Sequence, residues 1–177
     1  MFKDKKAAFY TLGCKLNFAE TSTIRRQLND IGFEKTDFKN KADLYVINTC
    51  SVTENANREC RRIIRKAKTK SPKAYIVVTG CFAQLKPKEI SAIDGVDMVL
   101  GANEKFNLPQ LIRDLNTNNK TEIYGCEINK LDYFSSYSLN DRTRSFLKIQ
   151  DGVIILVHTV LYHLLEGKAD QIIFKIL

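Results

Sequence analysis

Hydrophobic and polar positions alternate along the first two thirds of the chain in a repeating order. A short apolar run comes first, then a small or polar pair with a cysteine, then a segment with helical periodicity. Leu44 to Ile47 runs into Asn48-Thr49-Cys50, and Ser51 and Glu54 behind it are spaced as a capping box. Phe9 to Leu12 runs into Gly13-Cys14, and Asn17-x-x-Glu20 offers a second cap. Tyr75 to Val78 runs into Thr79-Gly80-Cys81, with a helix expected to begin near Pro87. Each run has the length and character of a buried strand ending at its cysteine. In an open α/β sheet, ligands gather outside the carboxyl ends of the strands, so three such cysteines converge on one place.

Taken in order, residues 7–12 predict a first strand and Asn17 to about Asp30 an amphipathic helix. Phe18, Ile24, Leu28 and Ile31 supply its inner face, and Gly32 its stop. A short edge strand is expected between Gly32 and Asp43. Leu44 to Thr49 is the second core strand. The helix after Cys50 places Val52, Ala56, Cys60, Ile63 and Ala67 on one side. Arg58, Arg61, Arg62, Arg65, Lys66, Lys68 and Lys70 lie on the other. Pro72 ends that helix, Ala74 to Thr79 is the third strand, and Pro87 to Ile93 is a short helix. Met98 to Gly101 reads as a fourth strand and Leu108 to Leu115 as a last helix. The alternation predicts an α/β fold: an open, doubly wound, mostly parallel sheet, flavodoxin- or Rossmann-like, of about four to five strands with an irregular C-terminal tail. Asn116-Thr117-Asn118-Asn119-Lys120 is a linker signal. Residues 121–137 have little periodicity, and Arg144 to Ile149 alternates like the first strand of something new. The expected division is 1–117, 118–152 and 153–177.

Composition narrows the class. The chain has 177 residues, 44% hydrophobic and 27% charged, enough for one domain with a real core. Apolar runs are too short and too often broken by charge to span a membrane, so no membrane partner is expected. Met1 to Lys6 lacks an apolar h-region, which predicts no secretory signal and a cytoplasmic chain with its five cysteines reduced. The net charge of +8 favours a polyanionic partner. Nothing in the sequence sets an oligomeric state.

The cysteines do not read alike. Cys60 lies on the apolar stripe of a helix and reads as a small buried hydrophobe. Cys126 has no partner motif. Cys14, Cys50 and Cys81 each precede a helical segment, where the positive end of the helix dipole favours the thiolate that binds metals. Gly13 and Gly80 allow a sharp turn or the close approach of a bulky ligand. Ordinary buried strand-end cysteines are the plain alternative. No C-x-x-C occurs, which excludes a zinc ribbon or a thioredoxin-type motif.

Three stretches carry a specific resemblance. They are Thr11-Leu12-Gly13-Cys14-Lys15-Leu16-Asn17, Asn48-Thr49-Cys50-Ser51-Val52-Thr53 and Thr79-Gly80-Cys81-Phe82-Ala83-Gln84. In that order they resemble the N-terminal domain of the methylthiotransferase family, radical S-adenosylmethionine enzymes that add a methylthio group to tRNA or a ribosomal protein. The likeness runs from about Phe9 to Gly152. Leu12 to Asn17 and Asp141 to Gln150 are most similar to the branch acting on C2 of N6-threonylcarbamoyladenosine, next to the anticodon. The resemblance implies that Cys14, Cys50 and Cys81 hold an auxiliary [4Fe–4S] cluster. With three protein thiolates, one iron keeps a position open for an exogenous sulfur. It also implies a second [4Fe–4S] cluster, S-adenosylmethionine and a tRNA partner for the full-length enzyme.

The chain departs from the family after Gly152. There the family has C-x-x-x-C-x-x-C, the ligands of the radical S-adenosylmethionine cluster. Here Val153-Ile154-Ile155-Leu156-Val157-His158-Thr159-Val160 follows, and no cysteine occurs as far as Leu177. Loss of one base after Gly152 would turn each cysteine codon, UGU, into a valine codon beginning GU. Val153, Val157 and Val160 have that spacing. With permitted wobble bases, residues 153–163 regenerate Cys-Asp-Tyr-Ser-Cys-Thr-Tyr-Cys-Thr-Ile-Pro. Residues 153–177 are therefore expected to be a frameshifted tail, on a chain truncated before its radical domain and inactive alone. The alternative is a flavodoxin-like module that binds a nucleotide or RNA without catalysis. The absence of Gly-x-Gly-x-x-Gly and Walker loops counts against a nucleotide. On either reading Arg61, Arg62 and Arg65 are the candidate tRNA contacts.

Overall fold

The computed structural model describes residues 2–50, 54–114, 121–125, 134–138, 145–151 and 170–171. Its centre is β3 (Leu44–Thr49), buried at every position. That burial explains the unbroken apolar run: a strand covered on both faces has no polar side to show. β3 pairs in parallel with β1 (Lys6–Thr11) and β4 (Tyr75–Gly80), and the sheet extends through β5 (Met98–Leu100). β2 (Glu34–Thr36) forms one edge beside β1, and β6 (Glu122–Tyr124) the other beside β5. The strand order is β2-β1-β3-β4-β5-β6, parallel throughout, so the sheet is open and doubly wound. It has six strands, more than the four to five expected. The addition is β6, from a polar stretch whose short alternation gave no strand signal.

Alternate residues of each strand feed two cores. Tyr45, Ile47, Ile76, Val78 and Val99 face α2 (Glu54–Lys70), α3 (Cys81–Leu85) and α4 (Pro87–Ser91). Ala7, Val46, Val77, Met98 and Leu100 face α1 (Lys15–Asp30), a 3-10 turn at Glu104–Asn107 and α5 (Leu108–Arg113). α1 starts two residues earlier than expected and ends as its sequence dictates. Gly32, at φ +106°, donates to Asn29 (2.9 Å), and Phe33 donates to Leu28 (3.0 Å), a complete Schellman closure. α2 buries Cys60, Ile63, Ile64 and Ala67 and keeps Glu54 in its first turn and Lys68 and Lys70 in its last, both signs favoured by the helix dipole. Val52 and the proposed cap Ser51 lie outside the described residues. The helix expected near Pro87 is present as α4, but α3 precedes it and starts at Cys81 itself.

Two further segments lie against α1. Residues 134–138 and 145–149 run antiparallel, with Tyr137 bridged to Leu147, Ser138 N–H on the Phe146 carbonyl (2.8 Å) and Lys148 N–H on the Ser136 carbonyl (2.8 Å). Phe146 packs edge-on against Phe18 at 6.2 Å, so the Phe18 ring meets this strap instead of the sheet. β7 (Gln150–Asp151) pairs antiparallel with β8 (Asp170–Gln171). The linker signal at 116–120 and the rest of the tail expected at 153–177 lie outside the described residues. Among the described residues, no helix is long and apolar enough to cross a membrane.

Candidate metal centre

The sheet order reverses between β1 and β3, since α1 leaves β1 on one face and α2 leaves β3 on the other. That is the crevice where open α/β sheets bind ligands. Cys14 follows β1 and Cys50 follows β3. Cys81 follows β4, the next strand, and neighbouring strands lie about 4.8 Å apart. The register pairs Thr49 with Gly80, so Cys50 and Cys81 each stand one residue beyond a paired step. Cys14 is exposed, and Cys50 and Cys81 are half-buried.

Two glycines set this proximity. Gly13 turns at φ +103°, and a Cβ there would lie 2.8 Å from Cys50 Cβ and 3.1 Å from its sulfur. The β1–α1 turn therefore lies directly on Cys50. Gly80, at φ +94°, would place a Cβ 2.3 Å from Asn48 Oδ1 and 2.4 Å from the Thr49 carbonyl. Both positions demand glycine twice over, for backbone conformation and for space. Cys14 has extended backbone and caps α1 through its carbonyl, which accepts from Phe18 N–H (3.2 Å), while its thiol donates to Asn17 Oδ1 (3.7 Å). The expected Asn17-x-x-Glu20 cap is therefore corrected: α1 begins at Lys15, and both residues lie inside it, buried.

Asn17 has a different task. Its amide donates to the carbonyls of Leu12 (2.9 Å) and Thr49 (3.1 Å), tying the Cys14 turn to the strand end that carries Cys50. Asn48 returns the contact, donating to the Asn17 carbonyl (3.0 Å) and Thr21 Oγ1 (3.1 Å). Thr49 Oγ1 donates to the Thr79 carbonyl (2.5 Å), fixing β3 to β4 just before Gly80. All of these bonds except the half-buried one to Leu12 are buried, where a lost partner costs more than at the surface. The polar letters after each apolar run thus hold the three strand ends in one arrangement.

Cys81 borders a small cavity of about 20 Å³, walled also by Asn17, Glu20, Gln84 and Lys105. These four could not be grouped from local pattern, because Gln84 and Lys105 lie far along the chain from Asn17 and Glu20. Glu20 is buried and bonded to Lys105 Nζ at 2.6 Å and Lys148 Nζ at 3.4 Å, both lysines buried as well. Burial alone would raise the Glu20 pKa, but the two ammonium groups outweigh it and hold the carboxyl below its ordinary range. Cys60 is fully buried in the α2 core, and burial, partly offset by Arg61, pushes its thiol up to about 12. That is the inert structural cysteine expected. Cys126 lies outside the described residues.

Fit to a cluster rests on the donor set and the cradle. Three thiols stand at adjacent strand ends, beside two glycines where any side chain would collide with the site's own walls. Among the described residues no three Cys, His, Asp or Glu side chains could hold a single metal ion. A cubane presents separate irons to separate thiolates and does not need that convergence. The arginines of α2 are not gathered with the cysteines. Arg61 pairs with Glu89 (3.2 Å), and Arg62 grips Glu59 through two bonds of 2.7 and 2.6 Å. Arg65 is exposed.

Residues 6–101 match the family described as Uncharacterized protein family UPF0004. The threonylcarbamoyladenosine tRNA methylthiotransferase MtaB of Bacillus subtilis (strain 168) is 42% identical, over 82% of this chain and 33% of that protein. The enzyme of the same name from Aquifex aeolicus (strain VF5) is 35% identical, over 83% of this chain and 37% of its own length. The tRNA-2-methylthio-N(6)-dimethylallyladenosine synthase of Aquifex aeolicus is 36% identical, over 61% of this chain and 26% of that protein. The chain spans about a third of the length of these curated relatives. With a family match that runs from β1 through β5, the chain belongs to family UPF0004, the N-terminal domain of the methylthiotransferase family.

Proposed function

We propose that residues 1–117 form the N-terminal cluster-binding domain of a tRNA methylthiotransferase, with Cys14, Cys50 and Cys81 as ligands of an auxiliary [4Fe–4S] cluster. The observation that carries this reading is the placement of all three thiols at the carboxyl ends of adjacent parallel strands, against Gly13 and Gly80. When bound with three thiolates, such a cluster offers an open iron to an exogenous sulfur, the chemistry that the methylthio product requires. Asn17 and Asn48 hold the Cys14 turn and the Cys50 strand end in register. Gly13 and Gly80 keep the space beside the thiols clear of side chains. In the intact enzyme the product would be methylthio-substituted N6-threonylcarbamoyladenosine at C2, formed in the cytoplasm, with S-adenosylmethionine and a second cluster supplied by residues beyond 118–152.

On this reading residues 1–177 lack the radical step by themselves, because Val153, Val157 and Val160 stand where the resemblance places the C-x-x-x-C-x-x-C ligands. Residues 153–177 are a frameshifted tail. Resequencing the gene around codon 152 tests this directly, and an in-frame reading with no family-like sequence in the shifted frame would overturn it.

Anaerobic reconstitution with iron and sulfide tests the site. Wild type and the Cys60→Ala variant should hold equal iron and acid-labile sulfide, with a charge-transfer absorbance that the triple Cys14→Ala, Cys50→Ala, Cys81→Ala variant lacks. Equal iron in the triple variant would sink the assignment.

A further inference from the structure

Buried ion pairs are expensive, and apolar side chains of the same volume often serve stability as well or better. The place where this fold keeps one is therefore informative. Glu20 and Lys105 face the small cavity that Cys81 borders, and among the described residues they are the only charged side chains in its lining. At about 20 Å³ the cavity has room for roughly one water molecule. Cys81 and Lys105 thus stand across a narrow gap, with little bulk water between them to screen a charge. Three contacts fix that placement. Gln84, in the helix that Cys81 starts, accepts from Ala102 N–H (2.8 Å) and so holds the turn after β5 against α3. Within that turn Lys105 N–H bonds to the Gly101 carbonyl (3.2 Å). From there the Lys105 ammonium reaches Glu20 of α1 at 2.6 Å. Lys148 of the strap bonds the same carboxylate at 3.4 Å but does not line the cavity.

The potential of an iron–sulfur cluster is set by the charges, hydrogen bonds and solvent around it. Reduction adds one electron and one negative charge, with no bond made or broken. A cation fixed nearby therefore stabilises the reduced form, and a fixed carboxylate opposes it. We propose that Lys105 and Glu20 set the reduction potential of the cluster held by Cys14, Cys50 and Cys81, Lys105 raising it and Glu20 lowering it. The inference rests on the three-cysteine reading above and concerns two residues outside that ligand set. Lys105 eases the arrival of an electron at the Cys81 side of the site. Glu20 holds the ammonium in place and limits the gain. Lys148, one bond further from the cavity, has a smaller effect of the same sign as Lys105.

The test uses the full 177-residue chain, reconstituted anaerobically with iron and sulfide and titrated with dithionite in the presence of redox mediators. The reduced cluster is followed by its electron paramagnetic resonance signal, and far-UV circular dichroism checks that each variant is folded. Lys105→Met should lower the reduced-to-oxidised ratio at a fixed potential on the order of tenfold, a shift of about 59 mV to more negative potential for one electron. Glu20→Gln should move the midpoint the other way. Lys148→Met should move it in the direction of Lys105→Met and by less. Arg62→Met, on the exposed face of α2, should leave it unchanged. A purely structural role predicts a different pattern, because loosening the triad from either end would shift both variants in one direction. Shifts of the same sign for Lys105→Met and Glu20→Gln would overturn the proposal. So would an unmoved midpoint in Lys105→Met, or a larger shift in Lys148→Met. Should Glu20→Gln not load, the order of the two lysine variants decides alone. A wild-type cluster whose potential ignores Lys105 sinks this inference and leaves the ligand assignment standing, whereas a wild-type chain that loads no cluster removes both.

Discussion

Replacing Glu20 with Gln should be among the most damaging isosteric changes available to this chain. Glu20 is 2% exposed and lies between Lys105 (8%) and Lys148 (5%), at 2.6 and 3.4 Å. The change keeps volume and one acceptor but strips the carboxylate from two buried ammonium groups. Breaking a buried ion pair by removing one partner costs ~3–5 kcal/mol. For a domain of this size that corresponds to a melting shift of roughly 6–20 °C. Adding Lys148→Met should recover part of the loss, because one stranded charge goes with it. The pH dependence has a definite sign. The folded pKa of Glu20 lies below its unfolded value of about 4.3, so its contribution is complete above that pH and disappears as pH falls through the folded value. Wild type and Glu20→Gln should therefore differ by a constant amount above about pH 5 and converge in stronger acid. Thermal melts followed by far-UV circular dichroism serve, since the chain has no tryptophan. A midpoint for Glu20→Gln within about 2 °C of wild type at pH 7 would refute a buried triad.

Three other outcomes follow from the same geometry. Gly80→Ala should destabilise the fold by about 2–5 kcal/mol in urea melts, from its left-handed backbone and the collision with Asn48 and Thr49, whereas Gly125→Ala, with nothing within 4 Å, should be neutral. Native thiol labelling at pH 8 with peptide mapping should modify exposed Cys14 first and Cys60 only after unfolding, because the Cys60 thiol is buried and pushed up to about 12. Asn17→Ala should cost roughly 1–3 kcal/mol by leaving the buried Thr49 carbonyl without its amide, and should lower iron retention after reconstitution.

The parts of the fold legible in the sequence are those decided locally. The β3 run, the apolar stripe of α2 through Cys60 and Ile63, and the Gly32 stop of α1 each follow from residues within a few positions of one another. The strand-to-cysteine order is equally local, so Cys14, Cys50 and Cys81 could be singled out from it. What escaped depends on distant partners. Glu20 looked like a cap because its true partners lie 85 and 128 residues away. β6 is polar and three residues long, and only the exposed edge of β5 makes it a strand. The basic face of α2 showed its charge, and Glu59 could be read at i−3 from Arg62, but the fold alone brings Glu89 to Arg61.

α1 is where these long-range terms meet, and its faces explain why the chain needs the strap beyond the sheet. One side, Ile24 and Leu28, packs on the strands as the periodicity requires. The first turn, through Asn17, holds the Cys14 turn on the end of β3. A third side has no sheet to cover it: Glu20 would face low-dielectric surroundings with only Lys105, and Phe18 would stand in water. The strap completes both, bringing Lys148 to Glu20 and Phe146 to Phe18, while Arg26 donates to the Tyr137 carbonyl at 2.7 Å. A strap that satisfies a buried carboxylate cannot leave without stranding it, so residues 134–138 and 145–149 should be protected in hydrogen exchange to the same degree as α1 itself. Cleavage of the strap by protease under native conditions, with α1 still protected, would show that the helix does not depend on it.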